Sequence, residues 1–87
     1  MKTNKDFRLR ELADVYMLVS TGEAAKKYPG AIHLSETASF IWERVDTMSR
    51  EEIAEAMLAE FEIDLPTAQR DVTVFIDQCI KNGLIEE

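Results

Sequence analysis

Apolar and polar positions alternate at the start of the chain and recur at helical spacing further on. Phe7-Arg8-Leu9-Arg10 alternates with period two, the pattern of a half-exposed strand. Val15–Val19 is a β-rich apolar run, and Ala13-Asp14 between the two segments has the length of a tight hairpin turn. Ser20-Thr21-Gly22 breaks the pattern, and Glu23–Tyr28 reads either as a helical turn or as an irregular strand extension. Pro29-Gly30 predicts a turn, and Ala31-Ile32-His33-Leu34 a short third strand.

From Ser35 the period changes. Ala38, Ile41, Trp42 and Val45 fall at i, i+3, i+4 and i+7, behind Ser35 as a helix cap. Ser49-Arg50-Glu51-Glu52 has the form of a capping box, with Met48 and Ile53 at the spacing of a hydrophobic staple. The helix it opens is expected to bury Ile53, Met57 and Phe61, with Ala54 and Leu58 alongside. Asp64-Leu65-Pro66 opens a third helix, because proline is tolerated in a first turn. Its stripe is Ala68, Val72, Phe75, Ile76, Cys79 and Ile80, and Gly83 predicts a left-handed stop that returns Leu84 over Cys79. The expected fold is α+β and winged helix-turn-helix-like: a three-stranded antiparallel sheet followed by a three-helix bundle. Residues 1–87 read as one domain, since so small a sheet needs the helices to complete a core.

Size and charge narrow the function. An 87-residue chain is expected to expose roughly 5,200 Å² when folded, enough burial for one small core without disulfides or metal. Cys79 is the single cysteine, so no intramolecular disulfide forms. No apolar run approaches the ~18 residues of a membrane span, and Met1–Asp6 is polar, which predicts a soluble, cytoplasmic protein without a membrane partner. The net charge of −7 divides unevenly. Residues 1–34 carry six basic and four acidic side chains, and residues 35–87 carry four basic and thirteen acidic.

No catalytic constellation is present. His33 is the only histidine, and Cys79, the only possible thiol partner for it, falls on a core stripe where a thiol acts as a small hydrophobe. No second ligand stands at metal spacing, and three glycines form no phosphate loop. Glu51, Glu52 and Glu55 are explained by the helix dipole. The chain therefore reads as a non-enzyme without cofactor or metal.

Two binding readings remain. A winged helix-turn-helix could serve a DNA-binding transcriptional regulator, but the second helix carries Arg50 against Glu51, Glu52, Glu55 and Glu60. The third balances Arg70 and Lys81 with Asp71 and Asp77, so phosphate attraction is missing and nucleic acid is not the expected partner. The other reading uses the edge of Ala31–Leu34, where an extended peptide can add as a further strand. The same free edge would permit a domain-swapped homodimer.

Leu34-Ser35-Glu36-Thr37-Ala38-Ser39-Phe40-Ile41-Trp42-Glu43 resembles the Leu-Asn-Glu-Thr-Ala…Ile-Trp-Glu pattern of the PqqD family. Leu9–Asp14, Glu52-Ile53-Ala54, Asp71-Val72 with Phe75, and Gly83-Leu84-Ile85 are similar to further family blocks, in the same order. The resemblance implies a recognition element that binds the leader of a ribosomally synthesised precursor peptide and presents it to a modifying enzyme, often a radical S-adenosylmethionine enzyme. It also implies that the leader adds beside the third strand. The site would then involve Ala31, Ile32, His33 and Leu34, with some of Arg70, Thr73, Val74, Asp77 and Gln78 opposite. Ser35 stands where the family usually has asparagine, and Val45–Met48 lacks a glycine often found there. Both departures spare the fold and leave the pathway open between quinone synthesis and another modified peptide.

Overall fold

The structure is a computed structural model that describes residues 1–27 and 30–87. It is α+β, with a three-stranded antiparallel sheet and four helices among the described residues. In chain order the elements are β1 (Lys2–Thr3), β2 (Phe7–Leu12), β3 (Val15–Ser20), α1 (Ala24–Lys27), β4 (Ala31–Leu34), α2 (Glu36–Arg44), α3 (Arg50–Glu60), α4 (Leu65–Lys81) and β5 (Ile85–Glu86). Pro29 of the expected turn, and Tyr28 before it, lie outside the described residues.

The main sheet has the order β2-β3-β4. Ala13 and Asp14 join β2 to β3 with φ of 50° and 66°, the two left-handed residues of a type I′ hairpin. Arg8 stands opposite Val19, Arg10 opposite Met17 and Leu12 opposite Val15; across the next ladder Met17 meets His33 and Leu18 meets Ile32. Strand alternation then separates two faces. Phe7, Leu9, Leu18, Ile32 and Leu34 join the helices in one hydrophobic cluster, and Arg8, Arg10, Met17, Val19 and His33 take the opposite face.

Each long helix starts where its cap demands. Ser35 Oγ accepts from Ala38 N at 3.1 Å, and Asp64 Oδ1 accepts from Thr67 N at 3.0 Å. Ser49 Oγ accepts from Glu52 N at 3.2 Å while Ser49 N donates to Glu52 Oε1 at 2.9 Å, completing the capping box. At the end of α4, Gly83 takes φ 76°, Leu84 N donates to Cys79 O at 2.8 Å and Gly83 N donates to Ile80 O at 3.2 Å. These two bonds form the Schellman stop that the sequence predicts.

The expected stripes are refined by exposure. Ile41, Trp42, Val45, Ile53, Ala54, Met57, Ala68, Val72, Ile76 and Cys79 are buried. Ala38, Phe61, Phe75 and Ile80 are only half-buried, and Leu58 is exposed. Three elements extend the expected order. The ambiguous segment after Gly22 contains the helical turn α1, and the two termini pair as a small second sheet. In it Lys2 stands opposite Glu86 and Thr3 opposite Ile85. Asp46 fastens this sheet to the end of α2: it accepts from Thr3 N at 2.7 Å and pairs with Lys5 Nζ.

Candidate peptide-binding edge and cleft

The outer edge of β4 is unpaired among the described residues, because β4 is the last strand of its sheet. Beside it runs α4. Ile32 and Leu34 project from β4 toward Phe75, Gln78, Cys79, Asn82 and Leu84, enclosing an apolar cleft of about 180 Å³. The cleft continues into a larger, more open hollow of about 370 Å³, which shares Phe75 and Gln78 and adds Ser35, Thr37, Arg70, Asp71 and Val74. One groove thus follows α4 for most of its length, with the free strand edge along part of one wall.

The local sequence explains each wall. β4 is four residues long and alternates exposed and half-buried positions, so Ile32 and Leu34 share one face. Ser35 immediately caps α2, turning the chain away and leaving β4 uncovered at its outer edge. On α4, Val74, Phe75 and Gln78 lie within a narrow arc at 100° per residue, and Cys79 follows at its border. The Schellman stop folds Leu84 back to close the end of the cleft.

The predicted site residues divide among different faces. Ile32, Leu34, Arg70, Val74 and Gln78 line the groove. Ala31 and His33 belong to the same edge strand, with side chains on the opposite sheet face. Thr73 and Asp77 lie away from the groove. Thr73 borders a shallow depression with Arg50 and Val72, and Asp77 Oδ1 accepts from Arg50 Nη2 at 2.8 Å. Phe75, Cys79, Asn82 and Leu84 line the cleft although sequence reasoning assigned the first two to the core stripe and passed over the others as site residues. The signal available was the breadth of that stripe, six apolar positions on a helix that packs chiefly against α3.

Electrostatics differ between the two ends of β4. Near Leu34 a second hollow of about 400 Å³ brings together Asp14, Tyr16, His33 and Glu36. The carboxylate of Glu11, the cross-strand partner of Tyr16, pushes the tyrosine hydroxyl above its ordinary pKa, with burial, Glu36, Asp14 and Glu43 acting in the same direction. The apolar cleft carries no such charge. Burial pushes the Cys79 thiol up to about 11, so it stays protonated at neutral pH and serves as apolar lining. Cys79 and His33 serve opposite sides of the sheet and form no dyad. Among the described residues no three His, Cys, Asp or Glu side chains are grouped to hold a metal ion.

These features define a class: a small α+β protein in which a free strand edge opens on an apolar, helix-walled groove. The chain belongs to the coenzyme PQQ synthesis protein D (PqqD) family, whose model matches residues 14–85. Among solved structures, TbiB1 in complex with the TbiA(beta) leader peptide is 25% identical with a TM-score of 0.77, covering 99% of this chain and 95% of that one. Lasso peptide synthetase B1 complexed with the leader peptide shares the fold at 20% identity and a TM-score of 0.78, covering 99% of this chain and 96% of that one. Comparison of the sequence with curated proteins returns no match.

Proposed function

We propose that this chain binds the leader segment of a ribosomally synthesised precursor peptide, which adds as a fourth strand along β4 and seats alternate side chains in the groove against α4. The carrying observation is the coincidence of an unpaired four-residue edge with an apolar cleft on the side chains of that same strand. Backbone bonds along the edge supply affinity for any extended chain, and the cleft selects which side chains fit. The complexes of the two structural neighbours with leader peptides support this reading.

In this reading residues 1–87 act as one winged-helix-like adaptor unit without chemistry of its own, in the cytoplasm, and a modifying enzyme acts on the bound precursor. A radical S-adenosylmethionine enzyme is the partner class the family resemblance implies. The free edge also allows a swapped homodimer, which leader binding would compete away. No observation favours the DNA-binding alternative: the acid-rich second half forms the helical layer that would have to face phosphate.

Calorimetric titration with synthetic leader peptide tests the reading. Micromolar affinity is expected, about −8 kcal/mol, because ordering a flexible peptide offsets part of the contact energy. N-methylating the leader at alternate backbone nitrogens should abolish binding in one register and spare it in the other. Equal tolerance of both sets would rule out strand addition.

A further inference from the structure

The face of the main sheet turned away from the helices carries an arrangement that peptide binding at β4 does not use. Val15, Met17 and Val19 form its central row on β3, and none of them belongs to the hydrophobic cluster of the core. Leu12 is 73% exposed and Val15 42% exposed, directly opposite each other beside the hairpin turn. Arg8 and Arg10 flank this apolar row from β2. The chain has 17 acidic residues, yet among the described residues neither arginine makes a salt bridge. Lys2, Arg70 and Lys81 share that state, but on this face strand alternation sets no acidic side chain of β2, β3 or β4 beside the two arginines, since Glu11 falls on the other face.

A peptide added at β4 would lie three strand spacings from β2, about 14 Å, beyond direct reach of either arginine. The two cations therefore lie outside that peptide's site, although Arg10 Nη1 donates to Leu9 O at 3.1 Å within its own strand. We infer that this outer sheet face is a second docking surface, for a protein partner that presents an apolar centre rimmed by acidic side chains. Desolvating Arg8 and Arg10 against carboxylates would supply orientation and association rate, and the row from Leu12 to Val19 would supply buried apolar area. The surface stands on its own geometry. Where the leader-binding reading also holds, the partner it fits is the enzyme that receives the precursor, because one sheet would then carry the peptide at its edge and the enzyme on its face.

The plainer role for charges on β2 is to keep an edge strand from pairing with other copies. Charge reversal separates the two roles, since glutamate protects an edge as well as arginine does. The probe is an amphipathic helical peptide of leucine and glutamate, titrated into the isotope-labelled full chain and followed by amide shifts; its leucine–lysine counterpart is the control. The inference expects shifts confined to residues 8–19 and to Ala31 and His33 beside them on the same face, no response to the lysine peptide, and an affinity at least tenfold weaker in Arg8→Glu/Arg10→Glu. Arg8→Lys/Arg10→Lys should retain most of the affinity. Shifts elsewhere, an equal response to both peptides, or indifference to charge reversal would overturn it. So would sedimentation showing self-association that reversal abolishes, which would give the face to a second copy. Leader titration in the same Arg8→Glu/Arg10→Glu variant should be unchanged, so failure of leader binding and failure of this surface are read separately.

Discussion

Ala13 and Asp14 show how much one residue position can cost. Both sit at positive φ, 50° and 66°, as a two-residue type I′ turn requires. Alanine is poorly suited there, because its Cβ approaches the carbonyl and costs roughly 1–2 kcal/mol relative to residues that tolerate the left-handed region. Ala13→Asn with Asp14→Gly should therefore stabilise the chain by about 1 kcal/mol, read as a rise of roughly 4–8 °C in the thermal midpoint. A lower midpoint would mean that the turn is held by something other than its own backbone. Asp46 makes a second residue-scale case. Burial alone would raise its pKa, but hydrogen bonds from Lys5 and Thr3 outweigh that and hold it below the ordinary carboxylate range. A lowered folded pKa contributes stability that is present above the unfolded value near ~3.9 and is lost as pH falls through the folded one. Asp46 is partly exposed, so Asp46→Ala should cost about 1 kcal/mol or less at pH 7. That difference should shrink in denaturation curves as the pH is lowered below the ordinary carboxylate range and through the depressed folded value. A difference that persisted in acid would assign the loss to packing rather than to the carboxylate.

At the scale of elements, α4 serves two purposes on two faces. Its buried face, Ala68, Val72 and Ile76, belongs to the core, and the arc of Val74, Phe75 and Gln78 borders the groove. Thr73 and Asp77 are turned toward α3, where Asp77 pairs with Arg50. Gln78→Trp should fill the groove and lower leader affinity at least tenfold in titration while the circular dichroism stays native. Thr73→Ala should leave affinity unchanged. Asp77→Ala should cost only stability, by about 1 kcal/mol or less, since that ion pair is partly exposed. Equal losses of affinity at positions 73, 77 and 78 would contradict the groove as described. This division was half legible in the sequence. The capping box, Pro66 and Gly83 are local signals, so the helix limits follow from neighbouring residues alone. Which face of α4 meets β4 depends on packing between elements distant in sequence, and periodicity cannot tell a half-buried Phe75 from a fully buried Val72. The terminal sheet was invisible for the same reason. Two-residue strands carry no period, and Lys2 and Glu86 stand 84 positions apart in the sequence.

Over the whole molecule, thinness is the property that joins these observations. The chain measures 39 × 31 × 18 Å with a radius of gyration of 12.9 Å, against about 12.0 Å expected for a compact chain of this length. Its accessible surface is 5719 Å², above the roughly 5,200 Å² anticipated from mass. One sheet layer and one helical layer leave a sheet face, a sheet edge and a groove open at once. Such a molecule gains more from a partner than a compact one does, because the partner supplies a missing part of the core. In the proposed complex a leader along β4 would bind the folded chain and not the unfolded one, so mass action would link its affinity to stability. At a hundredfold excess over Kd the gain is about 2.7 kcal/mol. For a domain of this size that corresponds to a rise of roughly 11–22 °C in the thermal midpoint. Scanning calorimetry with authentic leader, and with the same residues in scrambled order, checks it. Scrambling keeps composition and charge but breaks the alternation that fits side chains to the cleft, so only the authentic sequence should shift the midpoint. Equal shifts would show that general charge or hydrophobicity, rather than strand addition, carries the binding.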